Sequence, residues 1–352
     1  HKLAGPNEEG IPAPPQMSSY RLWAFDPNDI NDSSQIVGGG YGGAGVMITP
    51  VPISTKNGTT LTWYLDEDND GKNDLIKRIL IDGYNDRGRA THITEDGTVF
   101  GTLYDEINPD GTASKVNRFY RWTADKGAVI FDAPYPYMAN IIDVNEAGEV
   151  IGVCLDGPWG RSNSYVGFYW SEKTGTIKVP VDLGSHTYVY DINNVGEVIG
   201  FVSSATPGAR FAFRWKPATG DFTALPQLEG SVGALAVNDN GVVAGQNIER
   251  ATIWDAENNM SFLGNGTYRS CSVTSYNNKD YALGYCYTTD NIRTAIAWIP
   301  DPLTGTHSIE EIEPRKGASV GFATPLNNVN MVWASISNQK KNSLSMVRID
   351  LN

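Results

Sequence analysis

Cysteine is scarce in this chain: three among 352 residues, too few for a disulfide framework and an odd number, so they cannot all pair internally. Histidine is scarcer relative to its chemical use, at four. Basic charge is outnumbered, 27 Lys and Arg against 40 Asp and Glu. The resulting net charge of -13 argues against binding nucleic acid or anionic membranes through the field of the whole molecule. No apolar run approaches the about 18 residues that a membrane-spanning helix needs. The chain has no G-x-S-x-G, H-E-x-x-H, P-loop or dinucleotide fingerprint in a strand-to-helix setting. Hydrolase-elbow, zinc-protease and nucleotide-binding readings are therefore set aside.

What is plentiful suits short strands and tight turns: Gly (37), Tyr (17) and Trp (9), with 40% hydrophobic and only 19% charged residues. One short motif recurs seven times: DINDSSQIVG at 29–38, HITEDGTVFG at 92–101, DVNEAGEVIG at 143–152, DINNVGEVIG at 191–200, AVNDNGVVAG at 236–245, SYNNKDYALG at 275–284 and PLNNVNMVWA at 325–334. Its turn positions are Asn31, Thr94, Asn145, Asn193, Asn238, Asn277 and Asn327. Spacing runs from 39 residues (Asn238 to Asn277) to 63 (Asn31 to Thr94), which suits one four-stranded blade per copy. In N-x-x-G the Asn bonds its own backbone and the Gly takes positive φ, so each copy is a hairpin. In the V-x-G that follows, the second Gly permits close backbone approach.

Beyond most hairpins lies an aromatic strand ending in Trp: TLTW to Trp63, RFYRW to Trp122, GFYW to Trp170, FAFRW to Trp215, ATIW to Trp254 and AIAW to Trp298. Recurrence at one repeat position reads as core between blades. A polar turn and a fourth strand follow, as in ATGDFTALP at 218–226. The pattern predicts an all-β chain: a short extension over 1–17, then a single domain over 18–352 folded as a seven-bladed β-propeller of four-stranded blades. SYRLWAF at 19–25 is expected to complete the last blade, so that N- and C-terminal strands pair and close the ring.

The IN-x-x-G-x-V-x-G pattern with its aromatic strand resembles the bacterial extracellular HAF-repeat family over most of the chain. It departs at the His-Ala-Phe triplet, which reads Phe211-Ala212-Phe213 in one blade and Arg118-Phe119-Tyr120 in another. The resemblance implies an exported propeller and carries no catalytic motif to transfer. A first residue of His1 rather than Met adds the expectation of a processed start. Together these place the protein outside the cytoplasm: secreted, cell-surface or periplasmic, in a bacterium.

Cys271 and Cys286 flank one predicted hairpin. A two-residue loop sets them face to face for a disulfide, and a three-residue loop turns them to opposite faces. Cys154 shares the repeat position of Cys286 but has Ala139 opposite, and reads as a buried free thiol.

The sharpest chemical motif is DEDNDGKND. Asp66, Asp68, Asp70 and Asp74, with the Lys72 carbonyl and Gly71 to curl the loop, make an oxygen shell suited to a structural Ca²⁺. The twelfth position is Lys77 rather than Glu, a departure from the helix–loop–helix form.

Propeller topology puts the repeated turns on one side and the longer loops on the other, where binding residues concentrate. There the sequence supplies Tyr84, Arg89, Tyr135, Trp159 and Arg161, and Arg118, Arg210, Arg250 and Arg293 precede their tryptophans by four or five residues. Guanidinium groups grip carboxylates and aromatic rings stack on sugars. The leading expectation is a site for an acidic polysaccharide, with His92, His186 and Tyr188 as proton-transfer groups if the protein is a lyase acting by β-elimination. Propeller-fold polysaccharide lyases are an analogy of fold alone. The alternative is a non-catalytic, calcium-stabilised extracellular scaffold that binds a protein partner.

Overall fold

Five of the repeated turns each rest on one carboxamide, while Thr94 and Asp96 hold the turn of blade two. In a computed structural model covering residues 25–40, 43–55, 58–70, 73–84, 87–105, 116–158, 163–181, 185–204, 210–228, 232–312, 318–322, 331–338 and 343–350, Oδ1 of the turn Asn accepts the backbone N–H four residues on. Asn31 takes Gln35 (3.0 Å), Asn145 Glu149 (2.9 Å), Asn193 Glu197 (2.8 Å), Asn238 Val242 (2.8 Å) and Asn277 Tyr281 (3.0 Å). Gly97, Gly148, Gly196 and Gly241 supply the positive φ, between 74° and 83°. Ser34 (62°) and Asp280 (64°) hold the same place without that freedom.

The strands fall into two compact units that divide after Val179. The first contains three blades. β1 (Phe25–Ile30), β2 (Ile36–Gly40) and β3 (Gly45–Ile48) are followed by a separate hairpin, β4 (Val51–Thr55) with β5 (Gly58–Thr62), before β6 (Ile76–Ile79) completes blade one. Blade two is β7 (Gly88–Ile93), β8 (Val99–Asp105), β9 (Val116–Thr123) and β10 (Gly127–Phe131). Blade three is β11 (Tyr137–Val144), β12 (Val150–Leu155), β13 (Tyr165–Ser171) and β14 (Gly175–Lys178), joined to blade two at the pair Tyr137–Val116.

The second unit contains four. They are β15 (Ser185–Ile192), β16 (Val198–Ser204), β17 (Arg210–Lys216), β18 (Asp221–Ala224); β19 (Val232–Val237), β20 (Val243–Asn247), β21 (Arg250–Trp254), β22 (Met260–Phe262); β23 (Ser270–Tyr276), β24 (Ala282–Tyr287), β25 (Arg293–Pro300), β26 (His307–Glu311); and the three-stranded β27 (Ala318–Phe322), β28 (Met331–Asn338), β29 (Ser343–Asp350). All pairings are antiparallel, and no helix occurs among the described residues. Of the segment 19–25 expected to complete the last blade, only Phe25 is described, and it opens β1.

Every first strand of blades one to six carries a β-bulge at the same repeat position. The register slips between Pro27 and Asp29, Ala90 and His92, Ile141 and Asp143, Val189 and Asp191, Ala234 and Ala236, and Val273 and Ser275. The bulge explains the second conserved-position glycine of the repeat. A Cβ on Gly101, Gly152, Gly200, Gly245 or Gly284 would run into the carbonyl oxygen of Arg89, Asn140, Tyr188, Gly233 or Ser272 on that first strand.

The tryptophans pack as expected in five blades: Trp122, Trp170, Trp215, Trp254 and Trp298 are buried. Their indoles also tie blades together, Trp254 Nε1 donating to the Pro226 carbonyl (2.7 Å) and Trp298 Nε1 to that of Gly264 (3.0 Å). Blade one differs. Its third strand is β3, with Ile48 opposite Ile36 where the other blades put Trp, and TLTW forms part of the added β4–β5 hairpin instead. Trp63 is half-buried and caps the Ser34 carbonyl from outside (2.9 Å).

Cys271 and Cys286 are directly opposed and bonded. Their loop is neither of the two lengths weighed: five residues separate Tyr276 from Ala282, and the bulge at Thr274 shifts the register by one to bring the cysteines face to face. Cys154 is a buried free thiol, and burial pushes it up to about 11.

Candidate functional site

The repeated turns do more than reverse the chain. Nδ2 of Asn31 donates to the Thr94 carbonyl of the next blade (3.1 Å), Asn193 to that of Asn238 (2.8 Å) and Asn238 to that of Asn277 (3.0 Å). The residue after the turn position donates its backbone N–H to the next blade in the same direction. Glu95 accepts Asp32 N–H (2.8 Å), Glu146 accepts Glu95 N–H (2.8 Å), Asp239 accepts Asn194 N–H (2.8 Å) and Asn278 accepts Asp239 N–H (2.7 Å). Asp29 and Asp191 add a third tie, to the N–H of Ile93 (2.9 Å) and Val237 (2.7 Å). Within each unit the turn side is thus consumed in holding adjacent blades. Burial dominates at Asp29 and lifts its carboxyl to about 6 despite those bonds.

The acidic loop of blade one is stitched by Asn73, whose Oδ1 accepts Leu65 and Leu75 N–H (3.1 and 3.2 Å) while Nδ2 donates to the Trp63 carbonyl (2.7 Å). Carboxylates of Asp66, Asp68 and Asp74 converge, one oxygen from each lying within 4.8 Å of the others. Asp70 is not in that trio; its N–H caps Asp68 (3.0 Å). Lys72 lies outside the described residues. Burial raises the neighbouring Tyr64 phenol, and Asp66, Asp70 and Asp74 raise it further, the signature of a strongly negative loop.

The arginines expected to ring the loop side do not share one sheet face. All four lie at or near the start of their third strands: Arg118 faces Leu103, Arg210 Ser203, Arg250 Asn247 and Arg293 Tyr287. Their offsets from Trp, four for Arg118 and Arg250 and five for Arg210 and Arg293, send alternate members to opposite sheet faces. Arg118, Arg89 and Arg293 are used locally. Arg118 grips Asp132 through Nε (2.6 Å) and Nη2 (3.1 Å) and donates to the Tyr84 hydroxyl (3.1 Å), contacts that raise its already high pKa. Arg89 bonds Asn28, and Arg293 lies 3.4 Å from the centre of the Tyr285 ring. Arg210 is exposed, and its carbonyl holds Gln227 (2.7 Å). Tyr135 lies beneath Lys178 (5.4 Å). Trp159 and Arg161 fall outside the described residues.

The proton-transfer candidates occupy two different strands. His92 sits in β7 with Nδ1 3.0 Å from Thr91 Oγ1, a hydroxyl that donates to the Phe100 carbonyl (3.3 Å). Burial holds its imidazole down at about 4, against a hydrogen bond with the Ile142 backbone. His186 lies in strand β15, not in a loop, stacked with Tyr188, which in turn stacks on Tyr190 and Phe201.

A cavity of about 470 Å³ does form on the loop side, where blades five and six meet in the second unit. Its walls are the β20–β21 turn, the end of β22 and the connection into β23, including Glu249, Arg250, Phe262, Asn265, Tyr268 and Arg269. Arg250 was anticipated. Tyr268 and Arg269 were not, since they follow a Gly-Asn-Gly connection with no repeat signal to mark them.

No family model matches the chain, and no curated protein matches it. Solved structures do, as folds. The β-propeller domain of the Trilobed protease from Pyrococcus furiosus aligns over 93% of this chain and 95% of that one at 11% identity (TM-score 0.52). A prolyl endopeptidase aligns over 94% of this chain at 11% identity (TM-score 0.53), and dipeptidyl peptidase 4 of Porphyromonas gingivalis over 87% at 10% (TM-score 0.51). The chain spans about half the length of each of these two peptidases, 51% in both cases. It likewise spans 50% of a puromycin hydrolase. The blades described above therefore make a β-propeller fold. The expected acidic-polysaccharide site, as binder or lyase, is corrected by the same findings: the propellers it resembles belong to peptidases, the ring arginines alternate between sheet faces, Arg89, Arg118 and Arg293 are engaged by neighbouring side chains, and His92 is buried.

Proposed function

We propose that this chain is an exported polypeptide-binding propeller that holds a peptide or protein partner on its loop side and performs no chemistry on it. One observation carries the reading: a preformed cavity on the loop side of blades five and six, on the side opposite the turns that are committed to blade–blade hydrogen bonds. Polypeptide is favoured as the partner class because the propellers of like fold sit in peptidases. Export follows the HAF-repeat resemblance and is compatible with the Cys271–Cys286 disulfide. Among the described residues no helix is long and apolar enough to cross a membrane.

Two structural elements complete the proposal. The Asp66–Asp68–Asp74 cluster binds Ca²⁺ as a hard-oxygen site that stiffens blade one. A strand from the segment that precedes β1 supplies the outer strand of the last blade and closes the ring.

The test is an array of unbiased short peptides probed with the full chain, alongside fluorogenic peptides to detect hydrolysis. Retention of a subset of peptides without cleavage is expected. Retention of none, or turnover of the fluorogenic set, would overturn the reading.

A further inference from the structure

The cavity at blades five and six has a chemistry that its residues make specific. Arg118, Arg121 and Arg214 each rest on a carboxylate, of Asp132, Glu172 and Glu197. Arg250 and Arg269 share one cavity, and among the described residues neither is in an ion pair. In a chain where acidic side chains outnumber basic ones by 40 to 27, two exposed arginines lining one cavity without an ion pair mark a place for an anion from elsewhere.

The walls are held in advance. Arg250 lies over the Phe262 ring at 4.8 Å, which limits its rotamers before any ligand arrives. The Glu249 carbonyl accepts both Cys271 N–H and Asn265 Nδ2 at 2.9 Å, so the turn is tied to the disulfide-bonded strand. Arg269 N–H donates to the Tyr287 carbonyl (2.9 Å), and the Tyr268 hydroxyl bonds Glu311. The turn itself is strained: Ile248 and Glu249 both have positive φ, 45° and 60°, where a two-residue hairpin prefers Asn-Gly. A β-branched residue in that conformation persists only where its surroundings over-determine it, a pattern concentrated at binding sites.

We propose that this cavity recognises a peptide carboxylate, Arg250 and Arg269 gripping the carboxylate while Phe262 and Tyr268 receive the adjoining side chain. The proposal rests on the polypeptide-binding reading and names the chemistry of its site. A free inorganic anion would leave most of the 470 Å³ unfilled. Glu249 on the rim and Glu311 behind Tyr268 oppose a second negative charge, so the site takes one carboxylate at a time. That carboxylate is a chain terminus or an Asp or Glu side chain, and the two sources are separable.

The probe is a pooled set of N-acetylated tetrapeptides, each made as the free acid and as the C-terminal amide, with a third pool of amides carrying an internal Asp. Binding to the full chain is read by calorimetry or anisotropy. Free acids are expected to bind roughly 10- to 100-fold more tightly than plain amides, and Arg250→Gln and Arg269→Gln each to lose on the order of 10-fold. Arg250→Lys, which keeps the charge but not the fork, falls between. Asp-containing amides that match the free acids identify the side chain as the source. If acids and all amides bind alike, or if both Gln variants melt and bind like the parent, the carboxylate site is wrong while the polypeptide reading stands. If neither these pools nor the array binds, that reading fails as well.

Discussion

His92 shows how far burial can move a residue from the role its type suggests. An unperturbed imidazole titrates near 6.5, whereas here burial holds it at about 4. Because the folded value lies below the unfolded one, neutral His92 stabilises the fold fully above pH 6.5, and that contribution is lost as pH falls toward 4. Allowing for its partial exposure, the loss is about 2 kcal/mol. Urea melts of the parent and His92→Gln between pH 7 and 4 should converge as pH drops, the variant showing the shallower acid limb. Parallel limbs would mean that His92 is not buried as described. The residue was legible in the sequence as a departure from the Asp29, Asp143 and Asp191 pattern. Its burial was not, because that depends on the neighbouring blade, whose Ile142 backbone it meets.

At the level of elements, the hairpins were legible because N-x-x-G and V-x-G are local backbone chemistry. The bulges were not, since an extra residue in one strand becomes visible only against its partner. That single slip settles the disulfide. Without the bulge at Thr274, Ser272 rather than Cys271 would face Cys286. The bond closes a loop with a sequence separation of 15, which the chain-entropy account values at about 3 kcal/mol. Cys271→Ser with Cys286→Ser should lower stability by that order in denaturant melts, and reducing agent should do the same to the parent while leaving the double variant unchanged. The β4–β5 hairpin was misassigned for a related reason: TLTW has the local look of a third strand, but GVMI, with no aromatic residue, pairs with β2 first.

Across the molecule, the excess of acidic charge makes the carboxylate cluster of blade one expensive to assemble without a cation. Millimolar free calcium should therefore raise the melting temperature by a few degrees relative to a chelator, the increment vanishing in Asp66→Asn with Asp74→Asn. An identical shift in that variant would place any calcium effect elsewhere. Blade-to-blade ties from Asn31, Asn193 and Asn238 show how a repeat can be stable as neighbours rather than as units: each blade satisfies polar groups of the next.

The sequence by itself determined the repeat, the all-β class, the turn chemistry, the buried tryptophans of five blades and the free Cys154, because each follows from residues close together in the chain. Only tertiary structure decided which arginines share a cavity. Strand parity sent the expected arginines to alternate sheet faces, and the junction of two blades put Arg250 and Arg269 on the walls of one cavity, which depends on how two hairpins lie together rather than on anything either one spells.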